Sequence, residues 1–242
     1  MRQHLATLLV FAALIAAWQL LYLIAGDVAL ASPVATVRRM VEMLQTRSFW
    51  DNARETGYAF LCALALALAG GVGLGVALGL RRLAAVVAEP ILITLYSIPK
   101  VTLYPLVLLT FGLGISAKVA FGVMHGLIPI AIFAMNAIRQ MKPVYLRSSR
   151  VLRLTSLQTA TSIVLPAILP ELLSGVRIGF SLTLLGVLIG EMFASRHGLG
   201  FLITNAMGLG DMATIMAVAL FLTAFALVAN GMFSSLNRMT HR

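Results

Sequence analysis

Long apolar runs separated by short basic segments dominate this chain. A helix crossing a bilayer needs roughly 20 mostly apolar residues. About six such stretches are present, at 5–25, 57–80, 86–113, 116–138, 167–193 and 212–236. The third holds Pro90, Pro99 and Pro105. Proline lacks a backbone donor and clashes with the preceding turn, so this stretch is predicted to be kinked or broken. In lipid such a break survives only where neighbouring helices or a water-filled cavity satisfy the freed groups, which points to the protein interior. Between the first two stretches, Val34, Val37, Val41 and Leu44 recur at helical spacing opposite Arg38, Arg39 and Glu42. That pattern predicts an amphipathic helix on the membrane surface or on neighbouring spans. The fold class expected is an all-α, polytopic membrane protein, with residues 1–242 as a single transmembrane domain.

Composition supports lipid as the solvent. Hydrophobic residues are 60% of the chain and charged residues 11%, and mean hydropathy is +0.98. Soluble domains carry about a quarter charged residues. The net charge of +10 falls between apolar runs rather than on one polar face, so nucleic acid is not the expected partner; it sets orientation. With the N-terminus inside, the inner segments hold Arg2, Arg81, Arg82, Arg139, Lys142, Arg147, Arg150, Arg153, Arg238 and Arg242, ten of the 18 lysines and arginines. The outer segments hold Arg38, Arg39, Arg47, Arg54, Lys118 and Arg196, leaving Lys100 and Arg177 within the membrane. The bias places both termini in the cytoplasm. The first stretch is expected to be a retained span, because its apolar core of about 20 residues exceeds the 7–15 of a signal peptide. Cleavage after Ala29-Leu30-Ala31 is the alternative. The single Cys62 excludes an intramolecular disulfide, and His4, His125, His197 and His241 are too scattered for a metal cluster. His125 reads as a packed or hydrogen-bonded histidine.

The most informative segment is the connection 139–166, which carries five basic residues and no acid before Ile163-Val164-Leu165-Pro166. On charge alone it is a positive-inside anchor. Its order resembles the cytoplasmic coupling loop of binding-protein-dependent ABC import permeases. In that family a Glu-Ala-Ala triplet is followed by Gly and then by Ile-x-Leu-Pro. Here the triplet position is Arg147-Ser148-Ser149, the Gly position is Arg153, and Ile163, Leu165 and Pro166 close the motif at matching spacing. Arg thus stands in place of both Glu and Gly.

The resemblance extends over roughly residues 31–236: Ser32-Pro33, Ile98-Pro99-Lys100, Phe111-Gly112-Leu113-Gly114, Leu169-Pro170, Gly175-Val176-Arg177, Glu191 and Gly198-Leu199-Gly200. Together these are similar to the nitrate, sulfonate and taurine branch. The resemblance implies a type I importer permease of the bacterial inner membrane, paired as a homodimer. It implies docking to ABC ATPase subunits and to a periplasmic or lipid-anchored solute-binding protein. ATP would sit on the partner, so no catalysis and no resident cofactor belong to this chain. The implied substrate is a small anion of the sulfonate, taurine, nitrate or bicarbonate type, with a vitamin or pyrimidine precursor as the alternative. Arg147 and Arg153 lead us to expect a more acidic groove on the ATPase, with weak coupling as the alternative.

Three further features remain open in the sequence. Gly175, Gly179, Gly186 and Gly190 lie within about 60° of one another on the fifth span, and Gly71, Gly75 and Gly79 form a similar ridge on the second. Both stripes suit close helix packing, while Gly179 and Gly186 are also candidates for the translocation path. Lys100 is either a cation that attracts an anionic substrate or a lysine that snorkels or pairs inside the protein. Arg177 reads as an anchor, and Glu191 as an interfacial acid or a gate residue. Rival classes fare worse. An intramembrane serine protease needs a nucleophile with a base in reach, and no Gly-x-Ser-Gly motif occurs. A secondary transporter predicts mid-membrane carboxylates, whereas the acids here lie mostly near helix ends.

Overall fold

The computed structural model of the chain describes residues 2–27 and 29–240. Arg242 and His241 lie outside the described residues, as do the side chains of Arg2, His4, Arg150 and Arg238. Among the described residues every regular element is helical: α1 (Arg2–Ala25), α2 (Pro33–Leu44), α3 (Arg47–Gly79), α4 (Arg82–Ser97), α5 (Tyr104–Phe111), α6 (Ile115–Gln140), α7 (Pro143–Val151), α8 (Ser156–Thr159), α9 (Leu165–Ala194), α10 (Leu199–Leu209) and α11 (Met212–Thr240). Five helices are long and apolar enough to cross a membrane. Six spans result when α4 and the segment Lys100–Phe111, bent by 81° at their junction, count as one. The break falls at Pro99, which precedes a 3₁₀ turn over Lys100–Leu103. Pro105 lies in the first turn of α5, where a missing N–H costs nothing.

Two compact units divide the chain, residues 1–56 with 196–227 and residues 57–195 with 228–242. In the first, Ser32 caps α2: its hydroxyl accepts from the Ala35 N–H at 3.1 Å, with Pro33 at the first helical position. This accounts for the Ser-Pro pair. The amphipathic helix forms where predicted, but its packed face differs. Val34, Val37 and Val41 stay exposed while Thr36 and Met43 are buried. Thr36 tolerates burial because its hydroxyl donates to the Ser32 carbonyl at 2.9 Å. The exposed valines leave that face of α2 unpacked within this chain.

The helix α10 has no counterpart among the predicted spans, being only 11 residues long. Its start is held by two side chains of α3. The Gly198 N–H donates to Asn52 Oδ1 at 2.7 Å, and the Leu199 N–H donates to Thr56 Oγ1 at 2.8 Å. Those two amides would otherwise be buried orphans of a helix N-terminus, and Gly198 reaches them at φ 119°. The Gly-Leu-Gly motif is therefore a cap. The start of α11 is anchored similarly. Asp211 accepts from the Thr214 N–H and hydroxyl at 2.9 and 2.6 Å, and Arg39 reaches Thr214 Oγ1 at 2.9 Å and Asp211 at 3.5 Å. Burial pushes the Asp211 carboxyl up, but the Thr214 hydrogen bonds and the Arg39 guanidinium outweigh it and hold it below the usual carboxylate range. The carboxylate thus stays ionised at neutral pH and keeps both partners.

The core of the second unit is the seam where α6 meets α9 and the glycine ridge of α3. A side chain at Gly71 would meet Ile130 Cβ and the Leu127 carbonyl, both at 2.8 Å, and one at Gly79 would lie 3.0 Å from Ile138 Cβ and the Met135 carbonyl. On α9, Gly186 faces the Phe121 carbonyl at 2.8 Å and Gly122 Cα at 3.0 Å, while Gly179 and Gly175 are filled by Ile130 and Phe133. Small residues let these backbones approach where lipid offers no hydrophobic drive for association.

Candidate coupling loop and translocation path

The connection between α6 and α9 is helical over most of its length. Pro143 starts α7 at a position where its missing N–H is harmless, and Arg147, Ser148 and Ser149 lie on this helix. Arg153 ends it with φ 52°, the one positive φ among described non-glycine residues. The Leu154 N–H donates to the Ser149 carbonyl at 3.0 Å, the six-to-one bond of a Schellman C-cap whose left-handed residue is Arg153. The family's glycine position is therefore a genuine left-handed position that an arginine fills here. A left-handed non-glycine residue costs about 1–2 kcal/mol. Arg153→Gly is expected to stabilise the solubilised protein by about 1 kcal/mol, read as a small rise in Tm. A fall in Tm would show that the arginine side chain holds the turn.

The next helix opens with a reciprocal box. Gln158 Oε1 accepts from the Thr155 N–H at 2.9 Å, and Thr155 Oγ1 accepts from the Gln158 N–H at 3.3 Å. A π-helical turn over Ala160–Val164 then leads directly into α9. Of the closing motif, Ile163 is half-buried and Leu165 and Pro166 are exposed. The buried anchors are Val164 and Ile168, packed on Ala137 and Ile138 at the end of α6. Arg147, Ser148 and Arg153 are exposed, while Ser149 is buried. Arg139 pairs with Glu89 of α4. Attention to charge alone overlooks the apolar part of this surface. Val144, Tyr145, Val151 and Leu152 are all exposed, the last two at 81% and 65%.

Lys100 sits at the break between α4 and α5. Its ammonium donates to the Tyr96 carbonyl at 2.9 Å and lies 5.0 Å from the Tyr96 ring centroid. It thereby caps the C-terminal end of α4 with a positive charge, using one of its three donors. Beside it is a cavity of about 260 Å³ lined by apolar side chains that include Leu95, Ile98, Leu103, Met124, Leu127 and Ile128. Gly179 and Gly186 do not join Lys100 there; both face α6 in the helix seam. Arg177 donates to Asn230 Oδ1 of α11 at 2.8 Å. The ring of His125 is bonded through Nδ1 to the Phe121 carbonyl at 2.9 Å and packs edge-on to Phe121.

One pairing corrects the sequence reading. Lys118, counted there among outer-segment cations, is 2% exposed inside α6, and Glu191 of α9 is fully buried. Lys118 Nζ lies 3.7 Å from Glu191 Oε1. Each charge opposes its own helix dipole, a cation near the N-terminal end of α6 and an anion near the C-terminal end of α9. Next to them the Tyr104 hydroxyl donates to the Gly190 carbonyl at 2.6 Å. These residues are 73 positions apart, and no local pattern joins them. The only sequence signal was an acid and a base each on the unfavourable end of an apolar helix.

Comparison with known proteins follows the same lines. The chain is 26% identical over 159 residues to the taurine transport system permease protein TauC of Escherichia coli, a match that covers 66% of this chain and 58% of TauC. It is 28% identical over 203 residues to the aliphatic sulfonates transport permease protein SsuC of Bacillus subtilis, covering 82% of this chain and 73% of SsuC. Its fold is similar to that in a solved inward-facing structure of the MetNI methionine ABC transporter, with TM-score 0.64, 21% identity, and 84% of this chain and 98% of that chain covered. Residues 69–242 match the model of the binding-protein-dependent transport system inner membrane component, so the chain belongs to that family of membrane permeases.

Proposed function

We propose that this chain is the permease subunit of an ATP-driven importer and that segment 139–166 transmits the ATPase stroke to the spans. One observation carries the reading. Between two spanning helices, α7 ends in exposed Val151, Leu152 and Arg153 with exposed Arg147 one turn earlier. A short helix with bare apolar tips and flanking cations suits an apolar groove with an acidic rim on a separate protein. Because α7 and α8 connect directly to α6 and α9, movement of that groove shifts both spans as rigid elements. ATP hydrolysis belongs to the partner. Two copies of this chain enclose the path, with both termini in the cytoplasm and a solute-binding protein on the opposite face. Lys100, at the break in a spanning segment, draws an anion into the path. The TauC and SsuC likenesses favour a sulfonate-type substrate. Gly179 and Gly186 serve this machinery by letting α6 and α9 move as one packed pair.

The test is charge reversal in the loop. Arg147→Asp combined with Arg153→Asp is expected to cut co-purification of the cognate ATPase at least tenfold, with unchanged membrane insertion. Undiminished recovery of the ATPase would remove these two residues from the docking surface.

A further inference from the structure

A polar cavity of about 280 Å³ lies where the end of α6, the start of α7 and the start of α9 meet. Its floor is buried Ala137 and Ile168, and its rim is formed by exposed Gln140, Lys142, Tyr145 and Glu171. None of these four rim side chains has a hydrogen-bond or ion-pair partner among the described residues. Arg139 next to them is already taken by Glu89. The depth of the cavity follows from helix length. With 26 residues α6 is about 39 Å long, against the roughly 30 Å of a hydrocarbon core. The run Arg139, Gln140, Lys142 ends it in polar side chains, so this end of the span stands among lipid headgroups. Glu171 is in the second turn of α9, which packs back on the same end of α6 through Ile168. Basic residues in this loop attract anionic lipid in general. The cavity itself differs, because it sets one carboxylate opposite one ammonium.

We infer that this cavity is a site for the zwitterionic headgroup of phosphatidylethanolamine, its phosphate on Lys142 and its primary ammonium on Glu171. The phosphate offers acceptors to the Lys142 ammonium, the Tyr145 hydroxyl and the Gln140 amide, while the headgroup ammonium brings three donors to the carboxylate. Phosphatidylcholine has the same charges but no N–H to donate, and phosphatidylglycerol brings an anion to Glu171 with nothing to neutralise it. The volume suits a headgroup alone, being just under the roughly 300 Å³ at which sites for whole small molecules begin. A soluble zwitterion shares the chemistry; the position at the span end commits the site to a lipid. Because Lys142 and Tyr145 belong to the start of α7 and Glu171 to α9, the bound headgroup ties the exposed loop helix to the spanning helix that follows it.

The experiment titrates the full-length, delipidated chain with phosphatidylethanolamine, phosphatidylcholine or phosphatidylglycerol of matched acyl chains and counts bound lipid by native mass spectrometry. Phosphatidylethanolamine is expected to bind roughly fivefold more tightly than either of the others, the size of one partly exposed ionic contact. Glu171→Gln and Lys142→Gln should each abolish that preference with unchanged Tm, since both side chains are exposed, and Glu171→Asp should retain it. In phosphatidylethanolamine vesicles, amide exchange over residues 143–151 should slow severalfold relative to phosphatidylcholine vesicles, and Glu171→Gln should remove the difference. Equal binding of phosphatidylglycerol would leave a phosphate site without a role for Glu171 and overturn the zwitterion assignment. A preference that survives both Gln variants would place the lipid elsewhere and overturn it. Displacement of the lipid by equimolar soluble phosphoethanolamine would assign the cavity to a free zwitterion and overturn the lipid assignment. Exchange over 143–151 that ignores the bound lipid would overturn the tie between α7 and α9. None of these readouts involves the ATPase, so their failure leaves the coupling assignment standing.

Discussion

Replacing Glu191 alone by Leu is expected to destabilise the protein by about 3–5 kcal/mol, because it removes the carboxylate that lies 3.7 Å from a buried ammonium. Lys118 is 2% exposed and sits against the N-terminal end of α6, where the helix dipole already disfavours a cation. In a protein of this size the loss corresponds to a fall in Tm of roughly 10 °C. Lys118→Met alone should cost a similar amount, because it removes the ammonium beside the buried carboxylate near the C-terminal end of α9. The double replacement should recover most of the loss, since an apolar pair of similar volume needs no compensating charge. A thermal double-mutant cycle on detergent-solubilised protein measures the coupling. Additive single effects would show that the two charges act independently.

The second large effect concerns the α3 ridge. A β-carbon at Gly75 would lie 2.5 Å from the Ala131 carbonyl, 2.6 Å from Ala134 Cβ and 3.0 Å from the Met135 nitrogen. Two of these are backbone atoms of α6 and cannot swing aside, so Gly75→Ala forces the helices apart and should cost about 3 kcal/mol, at the upper end for overpacking. The control lies two residues away. Gly73 has nothing within 4 Å of its β-carbon position, so Gly73→Ala gains helix propensity and should stabilise by about 0.5–1 kcal/mol. Opposite signs at two neighbouring glycines in the same helix separate packing from propensity, and both are read from Tm or from the fraction that stays monodisperse. Equal effects at the two positions would mean that the α3–α6 approach is looser than the geometry shows.

These two sites also mark where the sequence stops being legible. Apolar length reports solvent, so the spans were visible along the chain, and Pro99 announced the break in the third. Pro90 announced nothing, because it sits inside α4 without ending it. The extension of α3 back to Arg47 was hidden because its first turns carry Arg47, Asp51, Arg54 and Glu55; hydropathy reads their polarity as loop, though the backbone stays helical. The short helix α10 was hidden for a related reason: it is apolar but cannot span, and its two capping side chains come from positions 52 and 56 on a remote helix. The Lys118–Glu191 pair is a purely tertiary event. At the coupling loop, Ile163, Leu165 and Pro166 carried the resemblance while Arg153 departed from it, and the left-handed φ at Arg153 explains physically why glycine suits that position. Lys100 follows Pro99 in the sequence and lies at the break in the structure. That the neighbouring wall is apolar was not legible, since Met124 and Leu127 arrive from another helix.

The most direct test of the central claim is the composition of the complex purified from membranes through a tag on this chain. Mild detergent extraction followed by native mass spectrometry and peptide identification would give both partners and stoichiometry. Family membership and the exposed helix α7 predict two copies of this chain with two copies of an ABC ATPase. Recovery of the chain without any ATPase, from membranes in which the cognate ATPase is present, would contradict the importer assignment and move the secondary-transporter reading up.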